Sequence, residues 1–194
     1  ARVLEGVAPA DAYADPRALV AIAPAVALRR APDLAAEQLD QLLFGEIFDV
    51  LDEQGDFAWG QSRRDGYVGF VERAALAAAG DLPTHRVAAI RTYAFAEPSI
   101  KTRAFGPYSI NALVRTEARE GRFAKAAGTG WFIEDHLAPV GRFEADPAAV
   151  AERFLGAPYL WGGRESLGLD CSGLTQQALA TCGIAYPRDT DQQE

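Results

Sequence analysis

The chain has 194 residues, a formal net charge of −8, 49% hydrophobic residues and 24% charged residues. This is ordinary for a folded domain with a water-facing surface, and the length suits one large domain or two to three small ones. The acidic balance disfavours nucleic-acid and anionic-membrane partners, which need basic patches, and no apolar run approaches bilayer-spanning length.

Residues 1–16 are rich in Ala, Pro and Asp with little periodicity, and read as an arm or a short packed helix. From Leu19 onward short alternating segments appear, at 20–23, 25–28 and 46–51. A turn containing Gly55 leads to 57–62, and Asp65-Gly66 then gives a strong hairpin signal before 67–71. Five short strands at this spacing predict a small all-β barrel over 17–79. The pattern recurs at 87–90, 91–96, 110–115, 121–124 and 130–133, and even the endings agree, with 72–76 set against 134–137. Such self-similarity predicts a second module of the same kind over 84–140. Trp59, Trp131 and the many Phe residues are expected in the cores, while Arg29-Arg30 and Arg63-Arg64 are expected in solvated turns. Linkers are expected near 79–84 and 138–142, where Gly and Pro gather.

Asp146-Pro147 opens a helix with Asp at the N-cap and Pro at the first helical position. Val150 and Phe154 share a face, and Gly156 ends the helix. Residues 159–168 are rich in Gly and aromatics, hence irregular. A second helix is expected to begin at about Cys171, capped by Asp170, and to run to Gly183 with an apolar stripe of Leu174, Ala178, Leu179 and Cys182. A thiol in the first turn of a helix faces unpaired N–H groups and the positive end of the macrodipole, which favours the nucleophilic thiolate. The same N–H groups suit a developing oxyanion, and Gly173 leaves room for a substrate backbone. Cys182 reads as a small buried hydrophobe. Eleven positions along a helix, roughly 16 Å, keep the two cysteines from pairing, and their spacing suits no zinc site.

Tyr159-x-Trp161-Gly162-Gly163, Asp170-Cys171-Ser172-Gly173-Leu174 and Pro187-Arg188-Asp189-Thr190 together resemble the first part of an NlpC/P60 cysteine peptidase domain, here over 143–194. The two repeats ahead of it are similar to bacterial SH3-type (SH3b) domains. The fold this implies is mixed: two small all-β SH3-like barrels followed by the helical N-terminal part of an α+β papain-like domain, truncated in this chain. The pairing of modules resembles γ-D-glutamyl-L-diamino acid endopeptidases, which act on short cell-wall (murein) peptides with a free N-terminal L-Ala.

That resemblance implies Cys171 as nucleophile and Tyr159 near the cysteine or oxyanion. It implies Asp170 and Ser172 at the substrate ammonium, Trp161 along the groove, and Asp189 and Thr190 at the D-Glu portion. An acid and an aromatic from the first module complete the amine pocket; Glu37 and Tyr67 are the choices, with Glu46 as the rival acid. His85 and His136 read as surface or structural, because in this family the base follows the nucleophile. A base for Cys171 is therefore expected outside the chain, which is expected to be inactive alone. No cofactor or metal is implied. The implied partner is a murein tripeptide or a similar short peptide, with no nucleic acid and no membrane. A cytoplasmic location is expected, with a periplasmic or secreted one as the alternative. The rival function is a non-catalytic SH3b protein that binds wall peptides.

Overall fold

The computed structural model describes residues 1–9 and 11–193. After a 3-10 turn at Arg2–Leu4 come β1 (Arg17–Ala21), β2 (Ala25–Arg29), β3 (Gln38–Leu43), β4 (Ile47–Gln54), β5 (Phe57–Ser62), β6 (Val68–Glu72) and β7 (Leu76–Ala78). They form one antiparallel sheet in the order β3-β2-β6-β5-β4-β1-β7. Alternation along β1, β2 and β4 turns Leu19, Val26, Leu28, Phe48 and Val50 into a shared core with Leu42, Val71 and Leu76.

Eight further strands follow: β8 (His85–Val87), β9 (Arg91–Phe95), β10 (Ala104–Ser109), β11 (Leu113–Val114), β12 (Thr116–Glu120), β13 (Phe123–Ala126), β14 (Gly130–Ile133) and β15 (Leu137–Pro139). They make a five-stranded sheet, β10-β9-β14-β13-β12, and a three-stranded one, β11-β8-β15. Val87, Ala94, Tyr108, Val114 and Phe132 fill the space between. The last part holds α1 (Pro147–Glu152), the two-residue strands β16 (Arg164–Glu165) and β17 (Gly168–Leu169), and α2 (Cys171–Thr181).

The β-rich reading holds, but among the described residues the hydrogen-bonded sheets stay open, the first ending at β3 and β7. β3, which none of the expected segments includes, shows no alternation because it is covered on both faces: Asp40, Gln41, Leu42 and Leu43 are all buried. The segment 110–115 shrinks to the two residues of β11. Asn111 takes a left-handed φ of 69°, and Ile110 joins Val150, Phe154, Leu169 and Ala178 in a third core under the helices. Trp59 and Trp131 are half-buried, and Phe48 and Phe132 hold the core places instead.

The arginine pairs divide. Arg30 and Arg63 are exposed, with Arg63 on Asp49, and Arg29 donates to the Ala36 carbonyl. Arg64 is no solvated turn: it reaches Glu46 at 3.2 Å.

The apolar stripe expected on α2 is also corrected. Its buried face is Ser172, Gly173, Gln176, Gln177, Ala178 and Thr181, while Leu174, Leu179 and Cys182 are half-buried. Polar side chains occupy that face because other modules meet it. Asn111 donates to the Gln177 carbonyl (3.1 Å), Gln177 Oε1 (2.7 Å) and Thr181 Oγ1 (3.0 Å), and Gln176 donates to Asp65 at 3.1 Å.

Candidate active site

The start of α2 is fixed by its cap. Asp170 Oδ1 accepts from the Gly173 N–H at 2.7 Å, and Oδ2 accepts from the Gly162 N–H at 2.9 Å. One carboxylate thus ties the helix to the preceding Gly-rich loop and places Cys171 at the first helical position, exposed. Its Sγ lies 3.7 Å from Thr190 Oγ1. Gly162 has φ +70°, and a Cβ there would meet the Gln38 carbonyl oxygen of β3 at 2.7 Å, so the loop can lie on the first sheet only as glycine. Gly173 serves the same need for close approach, but toward the chain itself: a Cβ would strike the Gly163 carbonyl. The expected room for a substrate backbone is not at that atom.

Behind the cap lies a buried ionic cluster spanning the first sheet and the C-terminal segment. Arg188 uses all three guanidinium nitrogens: Nε donates to Asp40 Oδ1 at 2.5 Å, Nη2 to Asp170 Oδ2 at 2.7 Å, and Nη1 to Asp170 Oδ1 at 3.0 Å and Ser172 Oγ at 2.7 Å. Arg164, fully buried, donates to Glu46 Oε1 (2.9 Å) and Oε2 (3.2 Å) and to the Gln41 carbonyl (2.6 Å), with Asp40 and Asp65 each 3.7 Å away. Glu46 also accepts from the Leu43 N–H at 2.9 Å. It is therefore a partner for arginines inside the junction, away from the cysteine.

Ionisation follows this wiring. Burial opposes charge on Asp170, yet Arg188 and the two N–H donors outweigh it and hold the carboxyl below its ordinary range. For Asp65 burial is likewise outweighed, chiefly by Arg164. Asp40 goes the other way: burial, aided by the neighbouring Asp65, pushes it up to about 7 despite Arg164 and Arg188.

A cleft of about 290 Å3 opens over this base, lined by Arg30, Glu37, Leu39, Tyr67, Trp161, Asp170, Cys171, Ser172, Arg188, Asp189, Thr190 and Asp191. Eight of the nine expected site residues therefore border one space, shared between the first sheet and the C-terminal segment. Tyr159, the ninth, lines an adjoining apolar hollow of about 300 Å3 with Cys171, Phe154, Leu155 and Leu174. Burial, then the nearby Cys171, raises the Tyr159 phenol above its usual value. Burial, then Asp189 beside it, does the same for Tyr67.

Glu37 accepts from Arg30 Nε at 2.7 Å, which holds its carboxyl low, and from Trp161 Nε1 at 3.1 Å. Gln38 donates to the Trp161 carbonyl at 2.9 Å. The rim of the cleft is thus stitched across 123 residues of sequence. Neither histidine borders it: His136 Nδ1 is 2.7 Å from Thr92 Oγ1, and His85 Nδ1 is 2.9 Å from Thr84 Oγ1. Arg188 sat inside a recognised motif without a role; Arg30, Leu39, Asp40 and Asp191 carried no local signal.

Residues 156–194 match the NlpC/P60 family profile, and residues 28–76 match the profile described as a bacterial dipeptidyl-peptidase Sh3 domain. Over its last 39 residues the chain is therefore similar to the NlpC/P60 family. That family is one of cysteine peptidases, in keeping with the exposed Cys171. The chain is 28% identical over 166 residues to the gamma-D-glutamyl-L-lysine dipeptidyl-peptidase of Bacillus subtilis (strain 168), covering 79% of this chain and 56% of that protein. It is 32% identical over 96 residues to a probable endopeptidase of Corynebacterium glutamicum (strain R), covering 50% and 38%. It thus spans little more than half the length of the Bacillus subtilis protein. In fold it resembles the crystal structure of an NlpC/P60 family protein from Bacillus cereus ATCC 10987, with a TM-score of 0.79 at 19% identity over 91% of this chain and 76% of the other.

Proposed function

We propose that this chain carries the nucleophile and substrate cleft of a cysteine endopeptidase acting on the γ-D-glutamyl–L-diamino acid bond of short murein peptides with a free N-terminal L-Ala. The single observation behind this reading is the cleft itself: an exposed cysteine at the head of a capped helix opens into a space closed by Glu37 and Tyr67 of the preceding SH3 module. A pocket closed on one side by a second module accepts a peptide end better than a long strand.

In this reading Cys171 Sγ attacks the γ-amide carbonyl to form a tetrahedral oxyanion. Collapse expels the diamino-acid amine, which takes up a proton, and leaves a thioester; water then hydrolyses it, releasing L-Ala-γ-D-Glu and the free thiol. Tyr159 and the N–H groups of the first α2 turn face the oxyanion. Asp170, Ser172, Glu37 and Tyr67 frame the ammonium, Trp161 flanks the peptide, and Asp189 with Thr190 holds the D-Glu carboxylate side. Glu37 and Asp170 already pair with Arg30 and Arg188, so the ammonium shares them rather than meeting a bare carboxylate. Both histidines are engaged away from the cleft, so the proton carrier is proposed to come from outside residues 1–194, and this chain assayed alone is proposed to turn nothing over.

The test is hydrolysis of L-Ala-γ-D-Glu-diaminopimelate by the full-length protein and by its Cys171→Ala variant. The variant is expected to lose turnover and keep peptide binding. Turnover that survives the substitution, or by the 194-residue chain itself, overturns the assignment.

A further inference from the structure

We propose that Asp40 is a positioning residue for the Cys171 cleft: from β3 it holds Arg188, and through Arg188 it sets Asp170, Ser172 and the start of α2. The inference rests on the peptidase reading only for its peptide arm.

Asp40 is fully buried and lies outside the cleft lining, so it touches no substrate. Its Oδ1 takes the Nε of Arg188 at 2.5 Å, while the other two nitrogens of that guanidinium grip Asp170 and Ser172. A guanidinium is a rigid planar fork, so pinning Nε fixes the direction in which the two Nη groups point. Arg188 is followed directly by Asp189 and Thr190, both in the cleft wall. One anchor on the first sheet therefore orients the acid that caps α2, the hydroxyl beside it and the two residues after the arginine.

The remaining charges show that the anchor is local. Glu46, with two arginine partners of its own in Arg64 and Arg164, reaches neither Arg188 nor the cap. Asp65 binds Gln176 and lies 3.7 Å from Arg164, again without touching Arg188. Both hold the modules together; Asp40 alone of the three carboxylates links the sheet to the cysteine helix cap through a single arginine.

The test uses the 194-residue chain in a Cys182→Ser background at pH 8, so that Cys171 is the thiol that reports. Asp40→Leu removes the acceptor while keeping the branched four-heavy-atom shape, Asp40→Asn keeps an oxygen for Arg188 Nε, and Asp65→Asn is a control that perturbs the cluster elsewhere. Asp40→Leu is expected to slow iodoacetamide alkylation of Cys171 by about threefold or more, because the helix cap loosens. It is expected to weaken binding of L-Ala-γ-D-Glu-diaminopimelate by about tenfold. Asp40→Asn and Asp65→Asn should stay within about twofold of the parent on both readouts, although Asp65→Asn lowers Tm. If Asp40→Leu does not fold, Asp40→Ala replaces it. Unchanged alkylation in the folded acceptor-less variant overturns the proposal, as does an equal effect of Asp65→Asn, which would mark general loosening. A parent chain that binds no tripeptide defeats the substrate reading, and the alkylation arm still decides the role of Asp40.

Discussion

Arg164 shows how much of this structure rests on single side chains. It is fully buried with Glu46, Asp40 and Asp65 around it, and its loss leaves several carboxylates without their main counter-charge. Removing one partner of a buried ionic group costs about 3–5 kcal/mol, whereas replacing the pair by apolar residues recovers much of it. Arg164→Met is accordingly expected to lower unfolding free energy in urea by about that amount, and Arg164→Met combined with Glu46→Leu to lower it less. Equal losses in the single and double variants would show that the two residues do not act as a pair. These partners lie 118 positions apart, and nothing in the local pattern of either residue announces the other. The cysteine was legible for the opposite reason. Asp170, Cys171 and Gly173 lie within one turn, so cap, nucleophile and close approach are all written in four adjacent letters.

At the scale of elements, α2 departs most from its sequence signature. An amphipathic reading looks for a stripe of Leu, Ala and Cys, yet the face that is buried carries Gln176, Gln177 and Thr181 because it docks on loops and strands that bring their own hydrogen-bonding groups. Asn111 is the main partner, and its left-handed backbone is part of the fit. Asn111→Gly keeps that backbone and forfeits the side-chain hydrogen bonds to Gln177 and Thr181; Asn111→Ala forfeits both. Asn111→Ala should thus be about 1 kcal/mol less stable than Asn111→Gly in urea unfolding. A reversed order would mean that the turn carries no strain in the alanine variant. β3 escaped notice on similar grounds: with both faces covered, Asp40 and Gln41 are as buried as Leu42 and Leu43, and no alternation survives to be read. β5, β14 and the α1 cap, whose surroundings are conventional, sit where their sequence places them.

For the whole molecule, the buried acids set opposite trends with pH. Asp40, raised to about 7, keeps a proton in the folded chain that the unfolded chain gives up near its ordinary lower value. Its contribution is therefore greatest on the acid side and declines as pH climbs through 7. Asp170 and Asp65 are held low, so what they contribute is present above the ordinary carboxylate range and is lost on acidification below it. Tm should peak in mildly acidic solution and fall by a few degrees, on the order of 5 °C, toward pH 8; Asp40→Asn should flatten the alkaline side and leave the acid side alone. An unchanged alkaline slope in Asp40→Asn would show that another group titrates there.

The shared ion cluster also bears on how such proteins can be recombined. A leading module that merely tethered an enzyme to its target could be exchanged for any other with similar reach. Here the front module contributes Asp40, Glu46 and Gln41 to two arginines of the rear one, and Glu37 to its tryptophan. Transplanting the rear segment behind a foreign partner would strand the Arg164 guanidinium, take Asp40 from Arg188 and strip one wall from the groove. Viable chimaeras should therefore carry residues 37–46 along with the cysteine, so that the inherited unit is the seam between the two modules.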